Sequence, residues 1–239
     1  MKHLLCIPVY NEEATLQEVL AETRARLDES LSEILLINDG SSDGSRRIIE
    51  EARAQDSRIR AIHRPVNQGY GAAMIDSLAR GRAGGFDYVI TMDCDRQHRP
   101  EDLARFVAHD PEISVVSGSR YLAESDRKGQ APEDRVAVNE RITRLLNRTY
   151  GWALTDSFCG FKRYRTDQID PGLFTERGYA FPLEFWAYAR GRGLSIEEIP
   201  VSRIYTTDDR SFGEDLDKIR KRYKYYLQTF YRARKRFER

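Results

Sequence analysis

The chain has 239 residues, enough for one large domain or two small ones, with 40% apolar and 32% charged residues, as in an ordinary globular protein. Its 39 basic and 38 acidic residues leave a net charge of +1, which gives no general attraction to nucleic acid or to an acidic surface. Three cysteines (Cys6, Cys94, Cys159) without C-x-x-C spacing argue against a disulfide framework or a zinc site.

The apolar run at residues 4–9 predicts a buried strand, and residues 12–27 an amphipathic helix carrying Leu16, Val19, Leu20 and Leu27. A second strand is expected at 34–37, broken by the turn residues Asn38-Asp39-Gly40-Ser41-Ser42, with a helix starting near Asp43. Then come a strand at 59–63, a helix at 71–80, a strand at 88–92, a helix opened by Pro100 and a strand at 113–116. Residues 123–134 are polar and hold Gly129, Gln130 and Pro132, so a mobile loop is expected. A helix at 136–150, a short strand at 160–164 and a helix at 182–190 follow. The strand at 196–205 is interrupted by Pro200, which suits an edge or a bulge. A long helix is expected over 214–239. The apolar runs are of strand length, the first residues lack a signal-peptide pattern, and a cytoplasmic protein is expected.

Apolar strands alternating with helices predict an α/β fold with a parallel sheet covered on both faces. In such sheets ligands bind beyond the carboxyl ends of the strands. Those ends here carry Tyr10-Asn11-Glu12, Asn38-Asp39-Gly40 and Asp93-Cys94-Asp95. Side chains two apart on an extended segment project to one side, so Asp93 and Asp95 can share a hard cation, Mg²⁺ or Mn²⁺. A bare D-x-D more often marks a solvated turn, and position at a strand's end is what favours the metal. Pro8 to Glu13 and Asn38 to Gly44 each read equally well as a strand end with a helix cap. Only together, beside the carboxylate pair, do they suggest a nucleotide.

The set of motifs resembles the family 2 glycosyltransferases, and most of all the dolichol-phosphate mannose synthase and polyprenyl-phosphate hexosyltransferase branch. The resemblance rests on P-V-Y-N-E-E at Pro8, N-D-G-S-S-D-G-S at Asn38, N-Q-G-Y-G-A-A at Asn67 and M-D-C-D-R-Q-H at Met92. It continues with G-S-R-Y at Gly118, D-S-F-C-G-F-K at Asp156 and G-Y-A-F at Gly178. It implies an open, mostly parallel, twisted GT-A sheet over residues 1–213, with a nucleotide-sugar half at 1–98 and an acceptor half at 99–213. A basic amphipathic helix at 214–239 would follow. By motif match, Pro8, Tyr10, Glu12 and Asp39 would hold the nucleoside, with Asp39 facing the base. Asp93 and Asp95 would handle metal and diphosphate with Gln97 beside them, Arg120 would meet an acceptor phosphate, and Arg210 would close over the diphosphate. The implied partners are a nucleotide-diphosphate sugar such as GDP-mannose or a UDP-sugar, and a polyprenyl or dolichyl phosphate.

The branch continues its late arginine into R-x-x-G-x-S-K, whereas here Arg210-Ser211-Phe212-Gly213 is followed by Glu214-Asp215, leaving Lys218 as a stand-in for the lost lysine. Two acceptor chemistries stay open. A phosphate needs cations, available at Arg120, Arg127, Lys128 and Arg135; a hydroxyl needs a base, for which Asp156 and Glu184 are the candidates. A catalytically silent nucleotide-sugar-binding protein is the third reading. His98 reads as a packing residue, and Cys159, with no histidine near it in sequence, as a buried structural thiol. The last helix combines an apolar stripe with many basic residues, the pattern of a docked helix with a solvated face or of contact with an anionic membrane.

Overall fold

The computed structural model describes residues 1–204, 216 and 218–238. Strands β1 (His3–Val9), β2 (Leu31–Asn38), β3 (Ile59–His63) and β4 (Tyr88–Thr91) alternate with helices α1 (Glu13–Arg24), α2 (Ser45–Gln55) and α3 (Tyr70–Ala83). A turn of 3₁₀ helix at Pro100–Asp102 leads into the short α4 (Leu103–Val107) and then β5 (Val115–Ser119). The rest comprises β6 (Arg127–Lys128), α5 (Glu133–Tyr150), β7 (Lys162–Arg165), α6 (Phe181–Arg192), β8 (Ile196–Pro200), β9 (Arg203–Ile204) and α7 (Ile219–Phe237).

Seven strands form one sheet in the order β3-β2-β1-β4-β7-β5-β8. Alternation along β1 sorts its side chains by face. Leu4 and Cys6 join a core with α3, α5, α6 and α7, while Leu5, Ile7 and Val9 join a second core with α1, α2 and α4. Helices therefore cover both faces, as predicted for a doubly covered sheet. The chain winds outward from β1 through β2 to β3, then crosses to β4 on the other side of β1. That reversal opens a crevice beyond the carboxyl ends of β1, β2 and β4.

Three elements differ from expectation. β7 is antiparallel to both β4 and β5, between which it is inserted. Its sequence, Lys-Arg-Tyr-Arg, does not read as a central strand, yet Lys162 and Arg163 are 2% and 1% exposed. They are tolerated because the guanidinium of Arg163 donates to the carbonyls of Phe106, His109 and Asp110 and lies 4.5 Å from the Tyr88 ring centre. The Lys162 ammonium donates to the Cys159 carbonyl and stands over Trp186.

The polar stretch at 123–134 contains β6, which pairs in parallel with β9. β8 lies at the edge of the sheet, and the chain leaves that sheet after Pro200, in keeping with the missing N–H donor of proline. The last helix starts at Ile219 instead of 214; Leu216 and Lys218 precede it, and 214, 215, 217 and 239 lie outside the described residues.

Candidate active site

The loops after β1 and β2 are built on each other. The Asn11 N–H donates to Ser41 Oγ (3.0 Å), and Asn11 Oδ1 accepts from the Ser42 N–H (2.9 Å). The N–H groups of Glu12 and Glu13 donate to Ser45 Oγ and Asp43 Oδ2, and Glu13 Oε2 accepts from the Gly44 N–H, each at 2.9 Å. Most polar side chains of the first two motifs therefore hold the loop pair together, and neither Glu12 nor Gly44 caps the helix it precedes with a side chain. Pro8, Tyr10, Glu12 and Asp39 reach a cavity of about 580 Å³ at this sheet edge.

Asp39 is 4% exposed. Its Oδ1 accepts from Arg64 Nη1 (2.8 Å) and the Gln68 N–H (2.9 Å), and its Oδ2 from the Gly69 N–H (2.8 Å). A carboxylate offers about four acceptor positions, so one on Oδ2 is left for a ligand. Asp39 thereby pins the N-Q-G-Y loop. Gly69 (φ +98°) lies so close to the next segment that a Cβ there would sit 2.4 Å from the Arg177 carbonyl oxygen. Tyr70 and Tyr179, from the two segments so joined, stack at 6.2 Å in the cavity wall.

Asp93, Asp95 and Gln97 line the same cavity just past β4. Burial, and then the Asp95 carboxylate beside it, push the carboxyl of Asp93 up to about 6. Asp95 Oδ1 accepts from the Gln97 N–H (3.0 Å). Beneath Asp93 lies Gly160, where a Cβ would be 2.3 Å from Asp93 Oδ2; only a glycine admits the carboxylate there. Gly160 is held by Thr91, whose hydroxyl donates to its carbonyl at 2.7 Å. Two neighbouring carboxylates lining one cavity, all-oxygen donors, are the kind of ligands that would hold a hard Mg²⁺ or Mn²⁺ ion. Among the described residues no group of three or more His, Cys, Asp or Glu side chains converges, here or elsewhere, so the described part of the chain offers this pair of carboxylates and no fuller ligand set.

The same cavity is lined by Arg120, Tyr121, Arg135, Asn139 and Phe158, with Arg222 and Tyr226 from α7. Arg120 is held by Asp156: Nε donates to Oδ2 at 2.7 Å and Nη2 to Oδ1 at 3.0 Å. Asp156 has no exposed surface and also accepts from Asn139 Nδ2 (2.9 Å). Burial raises its carboxyl, but the Arg120 charge and hydrogen bonds outweigh that and hold it below the usual carboxylate range.

The fold thus brings together Pro8, Tyr10, Glu12, Asp39, Asp93, Asp95, Gln97, Arg120 and Arg135. Asp156 stands behind Arg120 and does not line the cavity. Glu184 does not reach it either: its carboxylate accepts from the N–H groups of Thr175 and Glu176 and from the Thr175 hydroxyl, and pairs with Arg236. Arg127 and Lys128 are exposed and outside the lining, as is Lys218. Arg210 lies outside the described residues. Cys159 does have a histidine at hand, His98 Nε2 at 3.9 Å, brought there by long-range folding. Burial pushes this thiol up to about 12, so it remains a protonated, inert side chain.

Residues 4–170 match the family model for glycosyl transferase family 2. The chain belongs to that family. The enzyme is 29% identical over 217 residues to the undecaprenyl-phosphate mannosyltransferase of Micrococcus luteus, covering 90% of this chain and 86% of that one. It is 28% identical to the polyprenol monophosphomannose synthase of Mycolicibacterium smegmatis (83% and 76% covered). To the undecaprenyl-phosphate 4-deoxy-4-formamido-L-arabinose transferase of Proteus mirabilis it is 33% identical (86% and 62% covered). Among solved structures it resembles the glucosyl-3-phosphoglycerate synthase of Mycobacterium tuberculosis bound to Mn²⁺, UDP and glucosyl-3-phosphoglycerate. The TM-score is 0.74 at 19% identity, over 97% of this chain and 79% of that one. This likeness establishes the GT-A fold.

Several residues that build the site escaped the sequence. Tyr70 and Tyr179 lie inside recognised motifs but had no assigned role. Arg64 carries no local signal. Arg222 did leave one: it sits four residues before Tyr226 and eight before Phe230, on the buried stripe of α7 where a charge is out of place.

Proposed function

We propose that the enzyme transfers a hexose, with inversion, from a GDP- or UDP-sugar to a polyprenyl phosphate. One observation carries this choice of acceptor. Among the described residues lining the cavity, the carboxylates are Glu12, Asp39, Asp93 and Asp95, all at the strand ends, and the rest of that lining includes Arg120, Arg135 and Arg222 and no acid. A hydroxyl acceptor needs a base within hydrogen-bond reach, and beyond the strand-end acids the described lining offers none. A phosphate is ionised near neutral pH and needs only cations to hold it.

In this reading an oxygen of the acceptor phosphate attacks the anomeric carbon from the Arg120 side. The bond from that carbon to the donor's diphosphate breaks, and its electron pair leaves with the diphosphate. No proton moves. Arg120, fixed in plane by Asp156, orients the nucleophile, and Asp39 with Tyr10 and Glu12 holds the nucleoside. When bound between Asp93 and Asp95, Mg²⁺ or Mn²⁺ supplies neutralisation of charge on the departing diphosphate. The relatives whose names specify undecaprenyl phosphate or polyprenol as partners support the acceptor class, and two of the three are named for mannose.

A lipid acceptor sits in a membrane, and α7 presents a suitable face to one. Residues Ile219–Phe237 include no acid; Arg220, Lys221, Lys224, Arg232 and Lys235 are exposed, with Tyr231 among them. Each basic residue at an anionic surface adds about 1 kcal/mol of attraction. No described helix is long and apolar enough to cross a membrane, so contact through this face would be peripheral.

The test is a transfer assay with radiolabelled GDP- and UDP-sugars, short polyprenyl phosphates and free sugars, with and without Mn²⁺. Metal-dependent labelling of the lipid phosphate is expected. Transfer to the free sugars alone would overturn the acceptor choice, and no transfer with intact nucleotide-sugar binding would favour a silent binding protein.

A further inference from the structure

Helices α5 and α7 run side by side in the same direction along the cavity. Asp134 at the start of α5 meets Arg222 near the start of α7, and Tyr150 at the end of α5 meets Phe230 and Glu238 near the end of α7. Between their first halves, Arg135, Val138 and Asn139 from one and Arg222 and Tyr226 from the other face the cavity.

Arg222 is 2% exposed, and its Nη2 donates to Asp134 Oδ2 at 2.5 Å while Nη1 donates to the Leu216 carbonyl at 3.1 Å. A buried ion pair adds little net stability over apolar packing, because desolvation offsets most of the attraction. Docking α7 does not call for one. Tyr226, Phe230 and Ala233 of the same helix are buried, and Arg232 and Arg236 already tie it to Glu176 and Glu184. Arg222 nevertheless lines the cavity that Arg120 and Arg135 also line. Burial raises the Tyr226 hydroxyl, and the charges of Arg222 and Arg135 oppose that rise.

We propose that Arg222 is an acceptor-binding residue, completing with Arg120 and Arg135 a three-arginine cradle for the phosphate of the lipid, with Asp134 as the residue that aims it. The inference rests on the lipid-phosphate reading above. Arg222 comes from α7, so the helix that presents basic residues to a membrane on its exposed face also supplies, from its buried face, part of the acceptor subsite. A phosphate monoester carries up to two charges and three strong acceptor oxygens, enough to engage several guanidinium groups at once.

The experiment measures KM for a short polyprenyl phosphate and for the sugar donor, together with Tm, in the wild type, Arg222→Met, Arg222→Lys and Asp134→Asn. Arg222→Met is expected to raise the acceptor KM at least tenfold and leave the donor KM within about twofold, with Arg222→Lys in between. Asp134→Asn keeps the guanidinium while removing the docking pair, so it should lower Tm as much as Arg222→Met but raise the acceptor KM less. Should Arg222→Met fail to fold, the lysine and Asp134→Asn variants decide on the same two constants. Equal changes in both KM values across the variants, or an unchanged acceptor KM, would mean that Arg222 only docks the helix. A wild type that labels no polyprenyl phosphate overturns the acceptor reading and this inference together, whereas normal wild-type transfer with an insensitive acceptor KM overturns the inference alone.

Discussion

Arg120 and Asp156 face each other in a two-point contact, 2.7 Å and 3.0 Å, with the carboxylate wholly buried and the guanidinium at the cavity wall. Asp156 is thereby occupied in orienting a cation. Asp156→Asn should keep measurable transfer and raise the acceptor KM, while Asp156→Ala should cost about 3–5 kcal/mol of stability, the range for breaking a buried pair. Because the folded carboxyl is held below its ordinary value, the pair stabilises the fold above about pH 4, the unfolded carboxylate value, and that stability is lost as pH falls further toward the folded value. Denaturation of wild type and Asp156→Asn between about pH 3 and 6 checks this; a kcat for Asp156→Asn near zero at normal acceptor KM would instead mark Asp156 as a base.

Gly160 leaves space for the Asp93 carboxylate. Gly160→Ala should fold, since the clash is with one side chain, but it should displace Asp93 and weaken metal-dependent nucleotide binding by about 10–100-fold, as changes behind metal ligands do. Calorimetry with UDP or GDP and Mn²⁺ would read this. Affinity equal to wild type would show that Asp93 has room to spare.

Metal dependence itself should disappear with Asp95. In Asp95→Ala the gain in nucleotide affinity on adding Mn²⁺ should be lost or sharply reduced, because half of the protein's carboxylate donors to the cation are gone. Asp39→Ala should behave differently. Nucleotide affinity should fall by about 1.5–3 kcal/mol, the range for a charged hydrogen bond, with the Mn²⁺ effect retained. If Asp39→Ala loses the Mn²⁺ effect, the separation of base and metal roles is wrong.

Glu184 holds the Thr175–Glu176 backbone to the start of α6 and meets Arg236 of α7. Glu184→Gln should leave kcat within a few-fold of wild type and lower Tm by about 2–4 °C for each kcal/mol lost. A kcat loss of a hundredfold or more, without a change in Tm, would return Glu184 to the list of bases.

What the sequence determined by itself was local. Apolar runs of strand length, turn residues at their ends and helix periods placed β1 to β4, and with them the acids Asp39, Asp93 and Asp95 at one sheet edge. Strand position and side-chain direction follow from neighbouring residues alone, so such a site is legible. Tertiary structure decided which of the remaining charges belong to it. Asp156 and Glu184 look alike as lone carboxylates in sequence, but one lies under Arg120 and the other caps a distant turn. Nothing beside Arg64, or in the charged strand β7, announces that Arg64 orders Asp39 or that Gly160 makes space for Asp93. Arg222 shows the same division: its place on a buried stripe is a periodicity, but what it faces is set by α7 lying along α5. A charged side chain in the interior persists only with a partner, and the partners that matter at this site come from far along the chain, Asn139 at 17 residues from Asp156 and Asp134 at 88 from Arg222, where no local pattern records them.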